Sequence, residues 1–216
     1  MIKKSKLFGF NLLPESDYIE IGGGEGELSL YLKNRGFNII LFIEPDIKKH
    51  TIASKKLTNI LCLNIDAENL TVDQLKPKSK IVTVIMQDVI EHISFENQKV
   101  LFKIICSKYE QINFIGRTPN LKSPFGLRNS FGDNTHIYRF TDTSLKDFLR
   151  SLDFENITIA KEKYKITGIV SLMRFLPYFL TIFLVSLSFL LVFGTWEGML
   201  TPNITFKSIR IKSKSI

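Results

Sequence analysis

The stretch that most constrains this chain is residues 18–26, which read Tyr-Ile-Glu-Ile-Gly-Gly-Gly-Glu-Gly. An apolar strand pattern runs into alternating glycines, Gly22, Gly24 and Gly26, and a helical pattern follows over residues 28–35. A glycine-rich turn between a strand and a helix lets a ligand approach the backbone closely, because no Cβ stands in the way. The sequence therefore predicts an α/β fold with a ligand-binding turn.

The glycine spacing and the nearby charges limit which ligand this turn accepts. Dinucleotide-binding folds use G-x-G-x-x-G and place a pyrophosphate at the helix N-terminus. Here the third glycine comes one residue early, and acids flank the turn at Glu20, Glu25 and Glu27. Carboxylates repel a pyrophosphate but suit a cationic ligand that carries an amino acid group. Taken alone the turn is a weak signal, since such loops occur in many α/β folds.

Three more apolar runs of strand length end in acidic residues. The run 38–43 ends in Glu44, the run 60–64 is followed by Asp66-Ala67, and the run 81–86 ends in Gln87-Asp88-Val-Ile-Glu-His. Each acid taken singly is also typical of a solvated strand end. Four such features in chain order, each closing an apolar run, favour a common ligand site at one edge of a parallel sheet.

With these motifs the chain resembles the class I S-adenosylmethionine-dependent methyltransferases. The run from Asp88 to His92 resembles the Asp-x-x-Glu-His motif of small-molecule, lipid-pathway and polysaccharide-pathway members. The resemblance implies that Glu44 binds the ribose hydroxyls, and that Asp66 and the Ala67 amide bind the adenine. The cofactor-binding residues that it implies are Glu20, Gly22, Gly24, Gly26, Glu44, Asp66, Ala67, Gln87 and Asp88.

The resemblance and the patterning together predict one Rossmann-like, doubly wound domain with a mostly parallel seven-stranded sheet. Helical patterns over 28–35, 47–57, 96–110 and 143–151 alternate with the strands, as parallel crossovers require. The family's last strand is antiparallel, and residues 203–212 match it. We expect a methyltransferase domain over 1–165, a hydrophobic insert over 166–200, and the last strand with a basic tail over 201–216.

The hydrophobic insert is the second unusual feature. Residues 175–196 contain no Asp, Glu, Lys, Arg or His. As one helix they would measure about 33 Å, close to the thickness of a bilayer core. We expect an interfacial or re-entrant insert, bent at Pro177, with Arg174, Tyr178 and Trp196 near the headgroups. The alternative is one transmembrane helix with the tail across the membrane.

Charge supports a membrane surface and argues against nucleic acid. The formal net charge is +8, and seven of these charges lie near the two ends: Lys3, Lys4, Lys6, Lys207, Arg210, Lys212 and Lys214. A nucleic-acid groove needs basic residues clustered with aromatics on one face, and no such cluster stands out. Basic ends beside a lipophilic segment favour the anionic, cytoplasmic face of a membrane.

The cysteines favour apolar packing over a disulfide, which is the less favoured alternative, and they indicate no metal site. Cys62 falls in a strand pattern and Cys106 in a helical one, where both suit the role of small apolar residues in a reducing cytosol. Their spacing does not match a metal-binding motif, so the sequence predicts no metal.

Acceptor chemistry is expected in the long segment 117–141, which we interpret as an active-site lid. Its Thr-Pro-Asn, Ser-Pro-Phe-Gly and Gly-Asp-x-Thr-His order resembles bacterial methyltransferases that act with polysaccharide- and lipid-modifying enzymes. His136 is a candidate general base for a hydroxyl acceptor, with Asp133 near enough to orient it. His92 is a second candidate, although a structural hydrogen bond is the favoured interpretation there. Arginines that could hold an acceptor anion or pair with loop acids are Arg117, Arg128 and Arg139.

Three functional hypotheses follow. The leading one is a membrane-associated methyltransferase that methylates an oxygen of a lipid-linked glycan or isoprenoid-type acceptor. The second is a soluble small-molecule methyltransferase with the apolar segment as a simple anchor. The third is a non-catalytic membrane adaptor that keeps the fold, which the acids at Glu20, Glu44, Asp66 and Asp88 disfavour.

Overall fold

The structure is a computed structural model, which describes residues 6–163 and 168–212. Its strands are β1 (Lys6–Leu7), β2 (Phe10–Asn11), β3 (Asp17–Ile21), β4 (Asn38–Ile43), β5 (Leu61–Leu63), β6 (Ile81–Gln87), β7 (Gln111–Pro119), β8 (Glu155–Lys161) and β9 (Asn203–Ile211). Its α-helices are α1 (Glu27–Asn34), α2 (Ile47–Lys56), α3 (Phe95–Lys108), α4 (Pro124–Phe131), α5 (Asp142–Ser151) and α6 (Ile169–Phe193).

Seven strands form one sheet in the order β5-β4-β3-β6-β7-β9-β8. The pairs among β5, β4, β3, β6 and β7 are parallel, whereas β9 is antiparallel to both of its neighbours. This confirms the predicted doubly wound, mostly parallel sheet and its antiparallel last strand. That strand, β9, lies between β7 and β8. Because the other six strands run the same way, their carboxyl ends share one edge, where ligands bind in such folds.

Aromatic packing joins α3 to the antiparallel half of the sheet. Phe114 of β7 lies 4.9 Å from Phe206 of β9, 5.0 Å from Phe102 of α3 and 5.4 Å from Phe154, measured between ring centroids. All four side chains are essentially fully buried. Aromatic rings at these separations contribute about 1 kcal/mol per pair beyond their burial. The last strand is thus part of the main core.

The buried Asp17 fixes the amino-terminal edge of the sheet. Its carboxylate accepts hydrogen bonds from the Asn38 side chain (2.5 Å), from the backbone amides of Lys78 and Ser79, and from the Tyr109 hydroxyl (3.1 Å). Burial, with the nearby Asp17 charge, raises the pKa of Tyr109. Four donors around one buried carboxylate offset the cost of removing it from water.

The described part of the N-terminal segment, from Lys6 onward, packs against one face of the sheet. Phe8 and Phe10 contact a cluster that includes Leu12, Leu32 and Ile115. These aromatic side chains therefore add to the core on that face of the sheet.

The segment 117–141 is more structured than the sequence predicted. Strand β7 continues to Pro119, and helix α4 follows within a few residues. Ser123 caps α4 by accepting a hydrogen bond from the Phe125 amide, and Pro124 occupies the first helical position. Segment 117–141 is therefore not one long loop, because Ser123 and Pro124 start a helix within it.

The hydrophobic insert forms one continuous 25-residue helix, α6, which runs through Pro177. Its most exposed side chains are Ile169, Met173, Leu176 and Leu191, each between 74% and 77% exposed. It is the one helix of the described chain that is long and apolar enough to cross a membrane. Within the described helix only Ser186 is buried, and most of its large apolar side chains are exposed.

Some predicted features lie outside the described residues. These are Lys3, Lys4 and Lys214 of the basic ends, and the boundary between residues 165 and 166. Cys62 and Cys106 are free thiols and partly exposed. Burial raises the pKa of both, which keeps them as neutral thiols at neutral pH.

Candidate active site

A cleft of about 400 Å³ opens at the carboxyl edge of the parallel strands. Five of the predicted cofactor residues line it: Gly22, Glu44, Asp66, Ala67 and Asp88. The other lining side chains include His92, Glu68, Asn97, Val89 and Ile137. The volume lies in the range of ordinary small-ligand sites. Elements far apart in the chain meet here because β3, β4, β5 and β6 all end at this edge.

The glycine turn adopts backbone angles that other residues rarely tolerate. Gly22 has φ +66°, and a Cβ there would lie 2.4 Å from Val89 Cγ2. Gly24 has φ +59°, and a Cβ there would meet no described atom within 4 Å. The Gly22 amide donates to the Ile43 carbonyl (2.8 Å), which fastens the turn to β4. The turn is therefore close-packed at Gly22 and open at Gly24, as the approach of a ligand requires.

Glu44 is held at the end of β4 by two backbone amides. Its Oε2 accepts from the Gly24 amide at 2.7 Å, and its Oε1 accepts from the Asp46 amide at 3.0 Å. The side chain is buried, yet it lines the cleft. Pro45 has no amide proton to donate, and the amide of the next residue, Asp46, donates to the carboxylate. This geometry gives a fixed carboxylate at the position that the resemblance assigns to ribose binding.

Glu20 occupies a different place from the one expected. It is 5% exposed and accepts a short hydrogen bond from the Ser29 hydroxyl of α1, beneath the glycine turn. Burial raises the pKa of Glu20 to about 7. It does not line the cleft, and neither do Gly24, Gly26 or Gln87, of which Gln87 is exposed and Gly26 caps α1. In this structure Glu20 supports the turn from below.

The residues that the resemblance assigns to adenine binding follow the end of β5. Asp66 is exposed and precedes a short 3₁₀ turn that begins at the buried Ala67. Next to them, the Asn97 side chain donates to Glu68 Oε1 at 2.7 Å, joining α3 to this turn. Glu68 and Asn97 were missed by the sequence reasoning, because nothing local links residue 68 to a helix that starts at residue 95.

Asp88 is paired with an arginine instead of standing free. Arg117 at the end of β7 contacts both Asp88 carboxylate oxygens, and its third nitrogen donates to Glu162 Oε1 at 3.0 Å. Asp88 has φ +55°, a strained angle for a residue with a side chain. Arg117 therefore links the cofactor cleft to the chain just beyond β8, where α6 is inserted. Of the two roles considered for Arg117, holding an acceptor anion or pairing with acids, the structure shows pairing with acids.

Three titratable side chains meet beside the cleft. Glu91, His92 and His136 each offer a ligand atom, and these atoms lie within 4.8 Å of one another. The imidazole rings of His92 and His136 are 4.6 Å apart, edge to face. The amides of Ile137 and Tyr138 donate to the Glu91 carbonyl at 2.9 Å and 3.0 Å, which brings the lid segment to this point. The sequence named both histidines but did not single out Glu91.

Glu91 is 1% exposed, and among the described residues neither of its carboxylate oxygens has a hydrogen-bond partner. Burial, and secondarily the charge of Asp88, raises the pKa of Glu91 to about 8. Its Oε1 lies 3.9 Å from His136 Nε2. Burial, with the neighbouring His136, lowers the pKa of His92, so both burial and proximity favour its neutral form.

Hydrogen bonds fix the orientation of both imidazole rings. Nδ1 of His136 lies 3.0 Å from the Ser130 carbonyl, and Nδ1 of His92 lies 3.3 Å from the Thr135 carbonyl. Because a carbonyl only accepts, each Nδ1 carries the proton and each neutral ring has its lone pair on Nε2. Asp133 Oδ2 is 4.0 Å from His136 Nε2, and Asp133 also accepts from Thr135, so it supports the loop.

The remaining candidates lie away from this cluster. Arg139 donates to the Ser130 carbonyl and stacks over the Phe131 ring at 4.7 Å, while Arg128 is exposed on α4. His50 on α2 contacts the Ser54 hydroxyl. Neither Arg128 nor Arg139 lines the cleft.

Comparison with known proteins agrees with this geometry. Residues 2–159, nearly three quarters of the chain, match a family described as a methyltransferase domain. The chain belongs to this methyltransferase family. No curated protein matches it.

Solved structures share the fold at low sequence identity. An S-adenosylmethionine-dependent methyltransferase from Archaeoglobus fulgidus superposes with a TM-score of 0.60 at 18% identity, covering 90% of this chain and 86% of that one. A possible histamine N-methyltransferase from Thermotoga maritima gives 0.59 at 18% identity, over 94% and 84%. The plantazolicin methyltransferase BamL, solved with S-adenosylhomocysteine, gives 0.53 at 16% identity, over 91% and 77%. Family and fold together confirm the expected enzyme class, an S-adenosylmethionine-dependent methyltransferase.

Proposed function

We propose that this methyltransferase methylates an oxygen of a lipid-linked glycan or isoprenoid-type acceptor at the cytoplasmic face of a membrane. The observation that carries the proposal is the position of α6. This exposed apolar helix leaves the sheet after β8 and returns to it at β9, and both connections lie at the edge that holds the cofactor cleft. An acceptor that stays in the membrane would then meet the cleft without leaving the lipid.

The cofactor site fits S-adenosylmethionine by shape and charge. Glu44 offers a carboxylate that two amides already orient, and Asp66 and Ala67 lie at the neighbouring strand end. Gly22 and Gly24 keep the turn free of side chains on the ligand side. When bound, the cofactor supplies a sulfonium methyl group, and the protein's main task is to align an acceptor with it.

The acceptor side falls at Glu91, His92 and His136. His92 lines the cleft next to Asp88 and Val89, and His136 lies directly behind it. A hydroxyl becomes a better nucleophile when its proton is partly withdrawn, and an imidazole suits that task at neutral pH; His92 lines the cleft and places one there. We infer that His136 and His92 polarise the acceptor hydroxyl, whose proton passes to solvent as the carbon–oxygen bond forms and the methyl–sulfur bond breaks.

The insert is fastened to the acceptor segment by polar contacts. Asn120, just after β7, donates to the carbonyls of Met199 (2.6 Å) and Thr201 (3.0 Å). Lys122 pairs with Glu197 at 2.6 Å, and the Ser186 hydroxyl of α6 donates to the Glu197 carbonyl at 2.7 Å. These bonds hold the far half of α6 beside the lid segment.

The same contacts favour an interfacial helix over a transmembrane one. Strands β8 and β9 are neighbours in one sheet, so both ends of α6 must be on the side of the catalytic domain. A helix that crossed the membrane would require residues 194–202 to cross back as unpaired backbone, which a bilayer core does not tolerate. The ion pair of Lys122 with Glu197 would also lie beside the hydrocarbon. We therefore propose that α6 lies in the headgroup plane, with its exposed leucines toward the acyl chains.

Vesicle binding by the full chain tests the membrane part of the proposal. The variant Leu176→Asn/Leu191→Asn changes two of the most exposed residues of α6. A matched control, Val72→Asn/Val100→Asn, changes two exposed apolar residues elsewhere on the domain. We expect flotation with anionic vesicles to fall at least tenfold for the α6 variant alone. Equal flotation of both variants would refute the assigned surface.

Calorimetry and methyl transfer test the enzymatic part. We expect one S-adenosylhomocysteine to bind per chain, and radiolabelled methyl groups to enter a lipid extract. We expect His136→Ala to cut turnover at least 100-fold while the affinity for S-adenosylhomocysteine stays within about threefold. Normal turnover by this variant would remove His136 from the mechanism. Full turnover on water-soluble acceptors without vesicles would favour the soluble small-molecule enzyme.

A further inference from the structure

The cluster of Glu91, His92 and His136 contains lone pairs that face one another. Each Nδ1 proton is committed to a carbonyl of the chain, so a neutral His136 presents its Nε2 lone pair toward Glu91 Oε1, 3.9 Å away. A carboxylate offers only further lone pairs. Among the described residues no donor meets either Glu91 oxygen in ordinary hydrogen-bond geometry, although the Thr118 hydroxyl lies near enough to act on the carboxyl. Acceptors that converge in this way repel one another unless they share a proton or a metal ion, and the geometry of this cluster has room for either.

The outer contacts of the cluster are those of a metal site. Histidines that bind metals nearly always donate the other ring nitrogen to a carbonyl, a carboxylate or water, which fixes the ring. His136 does so to Ser130 and His92 to Thr135. The three ligand atoms, separated by at most 4.8 Å, need to move inward by only about 1 Å to reach ordinary metal–ligand distances.

We propose that Glu91, His92 and His136 bind one divalent transition-metal ion beside the cofactor cleft. Two imidazoles and one carboxylate suit zinc, manganese, cobalt or iron, and three protein ligands leave open positions. His92 lines the cleft, so an open position faces the acceptor. The metal site is inferred from the contacts of its three ligands, whereas the role of the ion in methyl transfer rests on the proposed function. There the ion would lower the pKa of the acceptor hydroxyl, whose proton passes to solvent during methyl transfer.

This ion was not expected from the sequence, which predicted no metal. The ligands are separated by 44 positions, from residue 92 to residue 136, and their spacing matches no local motif. The backbone amides of Ile137 and Tyr138 donate hydrogen bonds to the Glu91 carbonyl, and these bonds bring the three ligands together. Only the folded chain shows that a buried carboxylate and two oriented imidazoles share one point.

Cobalt binding to the full chain tests the site directly. We expect protein stripped with a chelator, in mild detergent, to bind one Co²⁺ with a visible ligand-field absorption. We expect Glu91→Gln, His92→Gln and His136→Gln each to weaken binding by more than the roughly 100-fold cost of losing an outer-sphere partner. Matched controls are His50→Gln on α2 and the exposed Glu96→Gln on α3, which should bind as the wild type does.

The outcomes separate the metal from the methyltransferase. Unchanged affinity for S-adenosylhomocysteine checks that each variant is folded. If a variant does not fold, X-ray absorption of the cobalt-loaded wild type replaces it as the test, and its spectrum should show two imidazole ligands. Absence of stoichiometric Co²⁺ binding, or equal binding by the ligand variants, overturns the proposal. Full turnover by metal-free protein also overturns the role of the ion but leaves the methyltransferase standing. If the wild-type protein does not bind S-adenosylhomocysteine, the proposed methyltransferase function itself is refuted.

Discussion

Replacement of Glu20 by glutamine tests how a buried carboxyl beneath the glycine turn affects stability. Burial raises the pKa of Glu20 from its ordinary 4.5 to about 7. The folded chain therefore keeps this proton between those two pH values, while the unfolded chain releases it. Stability from Glu20 is fully present below the unfolded pKa and is lost as the pH rises through the folded pKa.

The size of the effect follows from the shift. At roughly 1.4 kcal/mol per pH unit, the rise in the pKa of Glu20 from 4.5 to about 7 corresponds to between about 3 and about 4 kcal/mol over the full titration. We expect the wild type to lose about 3 kcal/mol more unfolding free energy than Glu20→Gln between about pH 4.5 and about pH 7.5. The glutamine oxygen still accepts the Ser29 hydroxyl, so the turn remains supported. Glu91, whose pKa is also raised, acts in both proteins and cancels in the comparison.

Urea denaturation in mild detergent at a series of pH values is the assay. The control is Glu15→Gln, which removes an exposed carboxyl just before β3 and should follow the wild-type curve. Parallel pH curves for the wild type and Glu20→Gln would refute the reasoning, because Glu20 would then titrate alike in the folded and unfolded chains. A steeper loss in the variant would refute its sign.

Three further substitutions test the packing around the site. Gly22→Ala places a Cβ 2.4 Å from the Val89 side chain at φ +66°, so calorimetry should show at least a tenfold loss of affinity for S-adenosylhomocysteine; unchanged affinity contradicts the close packing. Asp17→Ala strands four donors at the sheet edge and should lower the unfolding free energy by on the order of 3 kcal/mol in urea, with cofactor contacts untouched. Gly126→Ala places a Cβ 2.0 Å from the Asn120 carbonyl, so a loss of about 2 kcal/mol in the same assay is expected, and a neutral result contradicts it.

The glycine turn and the acidic strand ends were predictable because their chemistry is local. A strand, a turn and a helix are adjacent in the chain, so the pattern of residues 18–35 shows all three. Glu44, Asp66 and Asp88 each close a strand, and a parallel sheet brings such ends to one edge. The direction of a side chain is not local. Glu20 turns toward Ser29 instead of the cleft, and no pattern in the sequence shows that choice.

The surroundings of the acceptor site could not be predicted in the same way. Helix α4 was not predicted because segment 117–141 was interpreted as one long lid, although its Ser123-Pro124 pair suits the start of a helix. The bonds from Asn120 to the segment after α6 join residues about 80 positions apart. Such long-range pairing depends on the whole sheet being formed.

The sequence by itself determined the fold, the enzyme class and the cofactor. Each of these depends on residues adjacent in the chain, or on strand ends that any parallel sheet brings together. The tertiary structure decided where the lid segment and the insert lie. It placed both ends of α6 at the carboxyl edge of the sheet, and it brought His136 to Glu91 and His92. The physical reason is that such arrangements depend on contacts between segments far apart in the chain, and the chain acquires those contacts only on folding.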